Sequence, residues 1–124
     1  MIRKVHIASP FDGLNISMIA TTPEARPKAV IFIIHGISGK KERFLPFMEY
    51  MTDKGYACIA HDHRGHGESV LKEEDRGYSY KGRSAALTKD MRAVTGWINE
   101  NFPDTPIYML GHSMGSLAAR AYVR

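Results

Sequence analysis

A serine lies between two glycines where an apolar run gives way to a stretch of helix formers. The pattern Gly-His-Ser-Met-Gly occupies residues 111–115, after the apolar residues 107–110 and before residues 117–122. A sharp strand-to-helix turn exposes a serine Oγ at the end of a sheet, and the flanking glycines leave room for the tight backbone. The N–H of Met114, at the start of the helix, can meet the negative oxygen formed during acyl transfer. The pattern predicts Ser113 as a nucleophile; the alternative is a Gly-Ser turn without chemistry.

A second short motif supplies the other group that acyl transfer needs. His35, Gly36 and Ile37 directly follow the apolar run 29–34. A loop that leaves the carboxyl end of a neighbouring strand can bring a second N–H to the oxyanion. The amide of Ile37 is the candidate donor, and Gly36 would let the backbone come close. Taken without the serine motif, the same residues would indicate a plain turn after a strand.

A polar segment follows the next apolar run. Residues 62–69 read Asp-His-Arg-Gly-His-Gly-Glu-Ser and come after the strand-like residues 56–60. We interpret this segment as a turn in which Asp62 and Arg64 hold loops near the site.

The histidines of this region allow a different interpretation. His61, His63 and His66 have the spacing H-x-H-x-x-H, which resembles the metal-binding signature of metallo-β-lactamase-like hydrolases. In that family an Asp normally precedes the third His, whereas this sequence has Gly65. A zinc site needs several ligands, and later segments offer no evident ones. We therefore predict no metal site.

These motifs require a scaffold in which strands and helices alternate. Short apolar runs alternate with stretches of helical periodicity, which is typical of an α/β sheet. After an opening hairpin, parallel strands joined by right-handed helical crossovers are the simplest arrangement. The predicted strands are residues 5–8, 14–20, 29–34, 56–60 and 107–110. One predicted helix presents Phe44, Phe47, Met48 and Met51 on one face and ends at Gly55; the other presents Leu87, Met91, Val94 and Ile98 and ends before Pro103.

Composition limits the class of protein. The chain has 124 residues, 44% of them hydrophobic, with a formal net charge of +4, which is ordinary for a globular domain. Basic residues such as Lys40, Lys41 and Arg43 are scattered and expected on the solvated surface, so no nucleic-acid partner is predicted. The single cysteine, Cys58, is expected to be a buried free thiol. With no signal peptide and no transmembrane segment evident, we predict a soluble cytoplasmic protein.

Three segments in order carry a family resemblance: His35-Gly36, residues 62–69 and residues 111–115. Together they resemble the α/β-hydrolase superfamily, and within it the monoacylglycerol lipase and lysophospholipase group, which is also classed with serine aminopeptidases. The resemblance covers nearly the whole chain, from the first strand to the helix after the serine. It implies an α/β-hydrolase fold, of which residues 1–124 form the N-terminal part of a single domain.

The resemblance also implies a mechanism. Ser113 would attack the carbonyl of a lipid monoester or small acyl ester and become acylated, and water would release the acid. The amides of Ile37 and Met114 would hold the oxyanion, a His would act as base and an Asp would orient it. No metal or organic cofactor would take part.

The sequence departs from the family after the serine. The order of the triad in this fold is Ser, acid, His, yet the eleven residues after Ser113 include no Asp, Glu or His. We therefore expect a partial chain whose partner is its own missing C-terminal half, and which is inactive without it. The alternatives are a peptidase or thioesterase of the same fold, and a non-catalytic binding module.

Overall fold

The computed structural model describes residues 2–10, 12–35, 41–64, 69 and 83–111, without the side chains of residues 83–85 and 87. Strands and helices alternate along these residues in the order that the sequence predicts. The elements are β1 (Ile2–Ala8), β2 (Asn15–Thr21), β3 (Val30–Ile34), a 3₁₀ turn (Lys41–Phe44), α1 (Leu45–Asp53), β4 (Ala57–His61), α2 (Arg83–Asn101) and β5 (Ile107–Gly111).

The described strands form one mixed sheet in the order β1-β2-β4-β3-β5. β1 and β2 form the predicted antiparallel hairpin, and β2 is also antiparallel to β4. β3 lies between β4 and β5 and is parallel to both. The chain steps from β3 to β4 on one side and then crosses to β5 on the other side. The direction of winding therefore reverses beside β3.

Each helix covers a different face of the sheet. On one face Met48 of α1 packs against Ile19, Ile33 and Cys58. The other face carries a larger cluster formed by α2 and the alternate strand residues. Because both faces of β3 are covered, its sequence is a continuous apolar run rather than an alternating one. The α2 cluster consists of Met18, Ala20, Val30, Phe32, Ile34, Ala57, Ile59, Met91, Val94 and Ile98.

Helix boundaries follow local signals in the sequence. Gly55 has a φ of +96°, a backbone conformation that glycine adopts without strain, and it lies just after the last turn of α1. Helix α2 ends at Asn101, two residues before Pro103.

Cys58 is the predicted buried free thiol, and desolvation raises the pKa of this thiol to about 11.

The packing departs from the sequence pattern in two places. The helical spacing puts Phe47 on the same face as Met48, but the Phe47 side chain is 38% exposed, and Leu45 packs against the core instead. Residues 107–110 have the apolar pattern of a buried strand, but Tyr108 and Leu110 of β5 are 61% and 41% exposed. The reason is that β5, among the described strands, pairs only with β3, and only its α2 face is packed.

Within the described ranges, no helix combines the length and apolarity needed to cross a lipid bilayer.

Candidate active site

The carboxyl ends of three parallel strands lie level at one edge of the sheet. Ile34, the last residue of β3, is in register with His61 of β4 on one side and Gly111 of β5 on the other. The loops after β3, β4 and β5 therefore leave from neighbouring points. The direction of winding reverses beside β3, and the helices that follow β3 and β4, α1 and α2, lie on opposite faces of the sheet. In open α/β sheets, ligands bind in the crevice that such a reversal creates.

The predicted catalytic residues follow directly from these strand ends. Ser113 and Met114 come two and three residues after Gly111, and Ile37 comes three residues after Ile34. Ser113, Met114 and Ile37 all lie outside the residues that the structure describes. What the structure does describe is the framework from which they extend.

His35 and His63 bind each other's backbone at the start of this framework. The N–H of His63 donates to Nε2 of His35 at 2.9 Å, and Nε2 of His63 lies 3.0 Å from the carbonyl oxygen of His35. A carbonyl oxygen only accepts, so Nε2 of His63 carries a hydrogen and Nε2 of His35 does not. Both side chains are buried, and their ring centroids are 4.3 Å apart. His35, the residue directly after β3, is thus attached to the segment after β4 by two reciprocal bonds.

Asp62, the residue before His63, binds Lys41 through both of its carboxylate oxygens. Its Oδ1 accepts the backbone N–H of Lys41 at 2.8 Å, and its Oδ2 lies 2.7 Å from the Lys41 ammonium. Both side chains are completely buried. The carboxylate of Glu42, which is 35% exposed, also contacts the ammonium at 2.8 Å. Lys41 begins the 3₁₀ turn, so this ion pair joins the end of β4 to the beginning of that turn.

A second buried ion pair ties the segment after β4 to α2. Arg64 donates from Nε to Asp90 Oδ2 at 2.7 Å and from Nη2 to Asp90 Oδ1 at 3.1 Å. The same guanidinium reaches Asp12 in the β1–β2 turn at 2.9 and 3.1 Å, and the hydroxyl of Ser9 at 3.0 Å. Ser9 also donates to Asp90. Arg64 thereby joins three separate parts of the chain.

The charges in this second cluster reinforce one another. Hydrogen bonding to Arg64 lowers the pKa of the Asp12 carboxyl below its ordinary value, against the opposing effect of burial. Burial disfavours the charge on Arg64, but its bonds to Asp12 and Asp90 outweigh that effect and raise the pKa of the guanidinium. Asp12 and Arg64 are therefore both ionised at neutral pH.

His61, at the end of β4, has a different environment. Its ring is fully buried against Phe32 and His63, with centroid distances of 5.3 and 5.0 Å. Neither ring nitrogen has a hydrogen-bond partner among the described residues. Desolvation, together with the neighbouring His63 and His35, holds the pKa of His61 well below its ordinary value. His61 is therefore neutral at neutral pH. His66, the third residue of the H-x-H-x-x-H spacing, lies outside the described residues.

Sequence reasoning identified part of this framework and missed part of it. It interpreted Asp62 and Arg64 as residues that hold loops near the site, and both make the buried contacts described above. It placed Lys41 on the solvated surface, which is wrong, because the ammonium is buried against Asp62. Asp90 was also missed. The signal for Asp90 was present, because an acidic residue directly before Met91 and four before Val94 falls within the apolar face of α2.

Comparisons with known proteins agree with this architecture. Residues 25–124 match the family model described as serine aminopeptidase, S33. Monoglyceride lipase of Mus musculus is 33% identical over 104 residues, which make up 84% of this chain and 33% of that protein. Lysophosphatidylserine lipase of Macaca fascicularis is 30% identical over 102 residues, which make up 81% of this chain and 23% of that protein.

Solved structures share the same fold. The carboxyl esterase from Bacillus coagulans superimposes with a TM-score of 0.84 at 28% identity, covering 98% of this chain and 39% of the esterase. The chain therefore spans about a third of the length of proteins such as the mouse lipase.

Proposed function

The chain belongs to the serine aminopeptidase S33 family of α/β-hydrolases, and from this premise we propose that it carries the nucleophile of a serine-dependent carboxylic ester hydrolase. The observation that carries the proposal is the level alignment of the three strand ends. Gly111, the last residue of β5, is in register with Ile34, the last residue of β3. Ser113 follows Gly111 by two residues. A nucleophile elbow and an oxyanion loop need this adjacency, because both must reach one carbonyl group.

The reaction would proceed through an acyl-enzyme. The Ser113 oxygen attacks the ester carbonyl carbon, and the amides of Ile37 and Met114 stabilise the resulting oxyanion. The carbon–oxygen bond to the alcohol then breaks, and a general base that took the serine proton returns it to the leaving alcohol. Water attacks the acyl-serine in the same manner and releases the carboxylic acid. No cofactor is needed for these steps.

We assign the general base and its acid partner to chain beyond Arg124. The eleven residues after Ser113 contain neither His nor a carboxylate. The described histidines are engaged elsewhere. Nε2 of His35 and Nε2 of His63 are both bonded to backbone, and His61 is enclosed in the core. His6 lies exposed on β1, where its Nδ1 is 3.1 Å from the side-chain amide of Asn15. Residues 1–124 without that further chain are expected to show negligible ester hydrolysis, since loss of the base in a serine triad lowers the rate by orders of magnitude.

The proposed substrate is a lipid monoester, either a monoacylglycerol or a lysophospholipid. Support comes from the relatives, which are named as a monoglyceride lipase and a lysophosphatidylserine lipase. A peptidase is the second candidate, because the family model bears the description of a serine aminopeptidase. An aminoacyl p-nitroanilide that is cleaved faster than a monoacylglycerol would favour the peptidase.

The test uses a fluorophosphonate probe together with a monoacylglycerol assay. Both are applied to the longest natural protein that contains the chain, to residues 1–124 alone, and to a Ser113→Ala variant of each. The proposal expects one adduct on Ser113 and hydrolysis in the longer protein, with both lost in the variant. Hydrolysis that survives Ser113→Ala would contradict it, as would robust turnover by residues 1–124 alone.

A further inference from the structure

Two consecutive residues after β4 hold both ends of one short stretch of chain. His63 binds His35, the residue before segment 36–40, and Asp62 binds Lys41, the residue after it. Each attachment includes a backbone atom of the residue held: the carbonyl of His35 and the N–H of Lys41. All four residues are buried. We call these four residues the clamp.

We propose that Asp62, acting through Lys41, is a positioning residue that sets the placement of segment 36–40 for catalysis. The inference rests on the proposed function, because its target is the Ile37 amide that would stabilise the oxyanion. His63 performs the corresponding task at the other end through His35. The clamp touches no reacting atom itself.

The energetics of the buried Lys41–Asp62 ion pair favour a role in positioning the backbone over a role in stabilising the fold. Burying a Lys and an Asp completely costs each group its hydration, and apolar residues of similar volume often stabilise a protein as well or better. A buried ion pair does what apolar packing cannot, because it fixes the direction of two specific bonds. Here Asp62 uses one oxygen for the Lys41 N–H and the other for the ammonium, so the backbone at Lys41 is fixed together with its side chain.

Catalysis is sensitive to this kind of placement. Loss of one oxyanion donor costs on the order of 10²-fold or more in kcat, and a displacement of about 1 Å can have a comparable effect. Segment 36–40 has only five residues between its two attachments. A shift of Lys41 would therefore be transmitted over a short length of backbone to Ile37.

The molecule contains a matched control. Asp90 is as completely buried as Asp62 and also accepts two hydrogen bonds from a buried cation. Its partners are Arg64 and Ser9, and neither end of segment 36–40 is among them. Asp62→Asn and Asp90→Asn thus make the same chemical change in two places, only one of which is part of the clamp.

The experiment measures kcat and KM separately in the longest natural protein that contains the chain, well below the unfolding temperature of each variant. Asp62→Asn keeps an acceptor for the Lys41 N–H, so we expect kcat to fall about 10-fold. The double variant Lys41→Met with Asp62→Leu removes both charges and the acceptor while filling the site, and kcat should fall about 100-fold. KM should stay near the parental value in both variants. Asp90→Asn should lower stability but reduce kcat of the folded protein clearly less than Asp62→Asn does.

Hydrogen exchange gives a second readout that does not depend on activity. Amides of a peptide covering residues 36–40 should exchange faster in the double variant than in the parent, and at the parental rate in Asp90→Asn. A folded double variant with parental kcat and parental exchange would overturn the proposal, as would an equal loss of kcat in Asp90→Asn. Hydrolysis that survives Ser113→Ala would instead overturn the proposed function, and the exchange result would still decide whether the clamp holds the segment.

Discussion

The middle of the sheet and its carboxyl edge are buried to the same extent but by different kinds of side chain. The two clusters that cover the faces of the sheet around Val30 and Ile59 consist of apolar side chains. Just beyond the end of β4, Asp62, His63 and Arg64 are equally inaccessible, yet they are charged or polar. Apolar contacts are non-directional and depend on volume, whereas each edge residue needs a specific partner at a specific atom.

This difference separates two tasks within one layer of structure. The middle holds the strands and helices together, and it should tolerate changes that conserve volume. The edge fixes the starting points of the loops after β3 and β4, which is where a catalytic site would need accuracy. Substitutions that remove one partner of a polar contact at the edge should therefore lower the free energy of unfolding more than substitutions that shorten an apolar side chain in the middle.

The largest effect is expected from Arg64→Met. This substitution leaves Asp90 buried without its cation, and removing one partner of a buried ion pair costs about 3–5 kcal/mol. Urea unfolding followed by the single tryptophan, Trp97, measures the change. Adding Asp90→Leu to the variant should restore part of the loss, because the uncompensated charge is then gone. A loss below about 1 kcal/mol in Arg64→Met would show that the edge is no more demanding than a surface ion pair.

The second largest effect is expected in the pH dependence of the unfolding free energy, and it comes from His61. The pKa of His61 is lowered in the folded state, so below an ordinary value of about 6.5 the unfolded chain takes up a proton that the folded chain does not. Stability from this residue is fully present above that pH and falls by about 1.4 kcal/mol for each pH unit below it, until the folded pKa is reached. Unfolding free energies between pH 7.5 and 5 should show this slope. His61→Leu should reduce it by the equivalent of one proton, and an unchanged slope in the variant would refute the assignment.

In the middle of the sheet, Ile59→Val should cost about 1 kcal/mol. The substitution removes one methylene group from a fully buried side chain, and changes of this kind typically cost about 0.5–1.5 kcal/mol. The same urea titration provides the measurement, with Met48→Leu as a nearly volume-conserving control on the other face. A cost above that of Arg64→Met would reverse the ranking of the two regions.

The smallest effect is a gain outside both regions. Gly96 is an exposed residue within α2, and a Cβ at this position would meet no atom within 4 Å. Gly96→Ala should therefore stabilise the protein by about 0.5–1 kcal/mol through helix propensity alone. Thermal unfolding followed by circular dichroism tests this expectation. A loss of stability would mean that this face of α2 is covered by chain outside the described residues.

More of the fold than of the candidate site could be predicted from the sequence. Residues 29–34 are apolar and branched without interruption, which indicates a strand covered on both faces, and β3 is such a strand. Residues 107–110 have a similar apolar pattern, yet Tyr108 and Leu110 of β5 are exposed, because such a pattern does not reveal whether a neighbouring strand exists on each side. At the site, Ser113, Ile37 and Met114 remain predictions, since they lie outside the described residues.

By itself, the sequence determined the order of strands and helices and the places where chemistry-bearing residues follow strand ends. Periodicity and turn residues report local geometry, and local geometry is encoded within a few neighbouring positions. Only the tertiary structure decided which buried charges meet. Lys41 and Asp62 are 21 positions apart, and Arg64 and Asp90 are 26 apart. Their contact depends on how the helical crossovers and the register of β4 against β3 bring separate segments to one edge, and no local pattern encodes that arrangement.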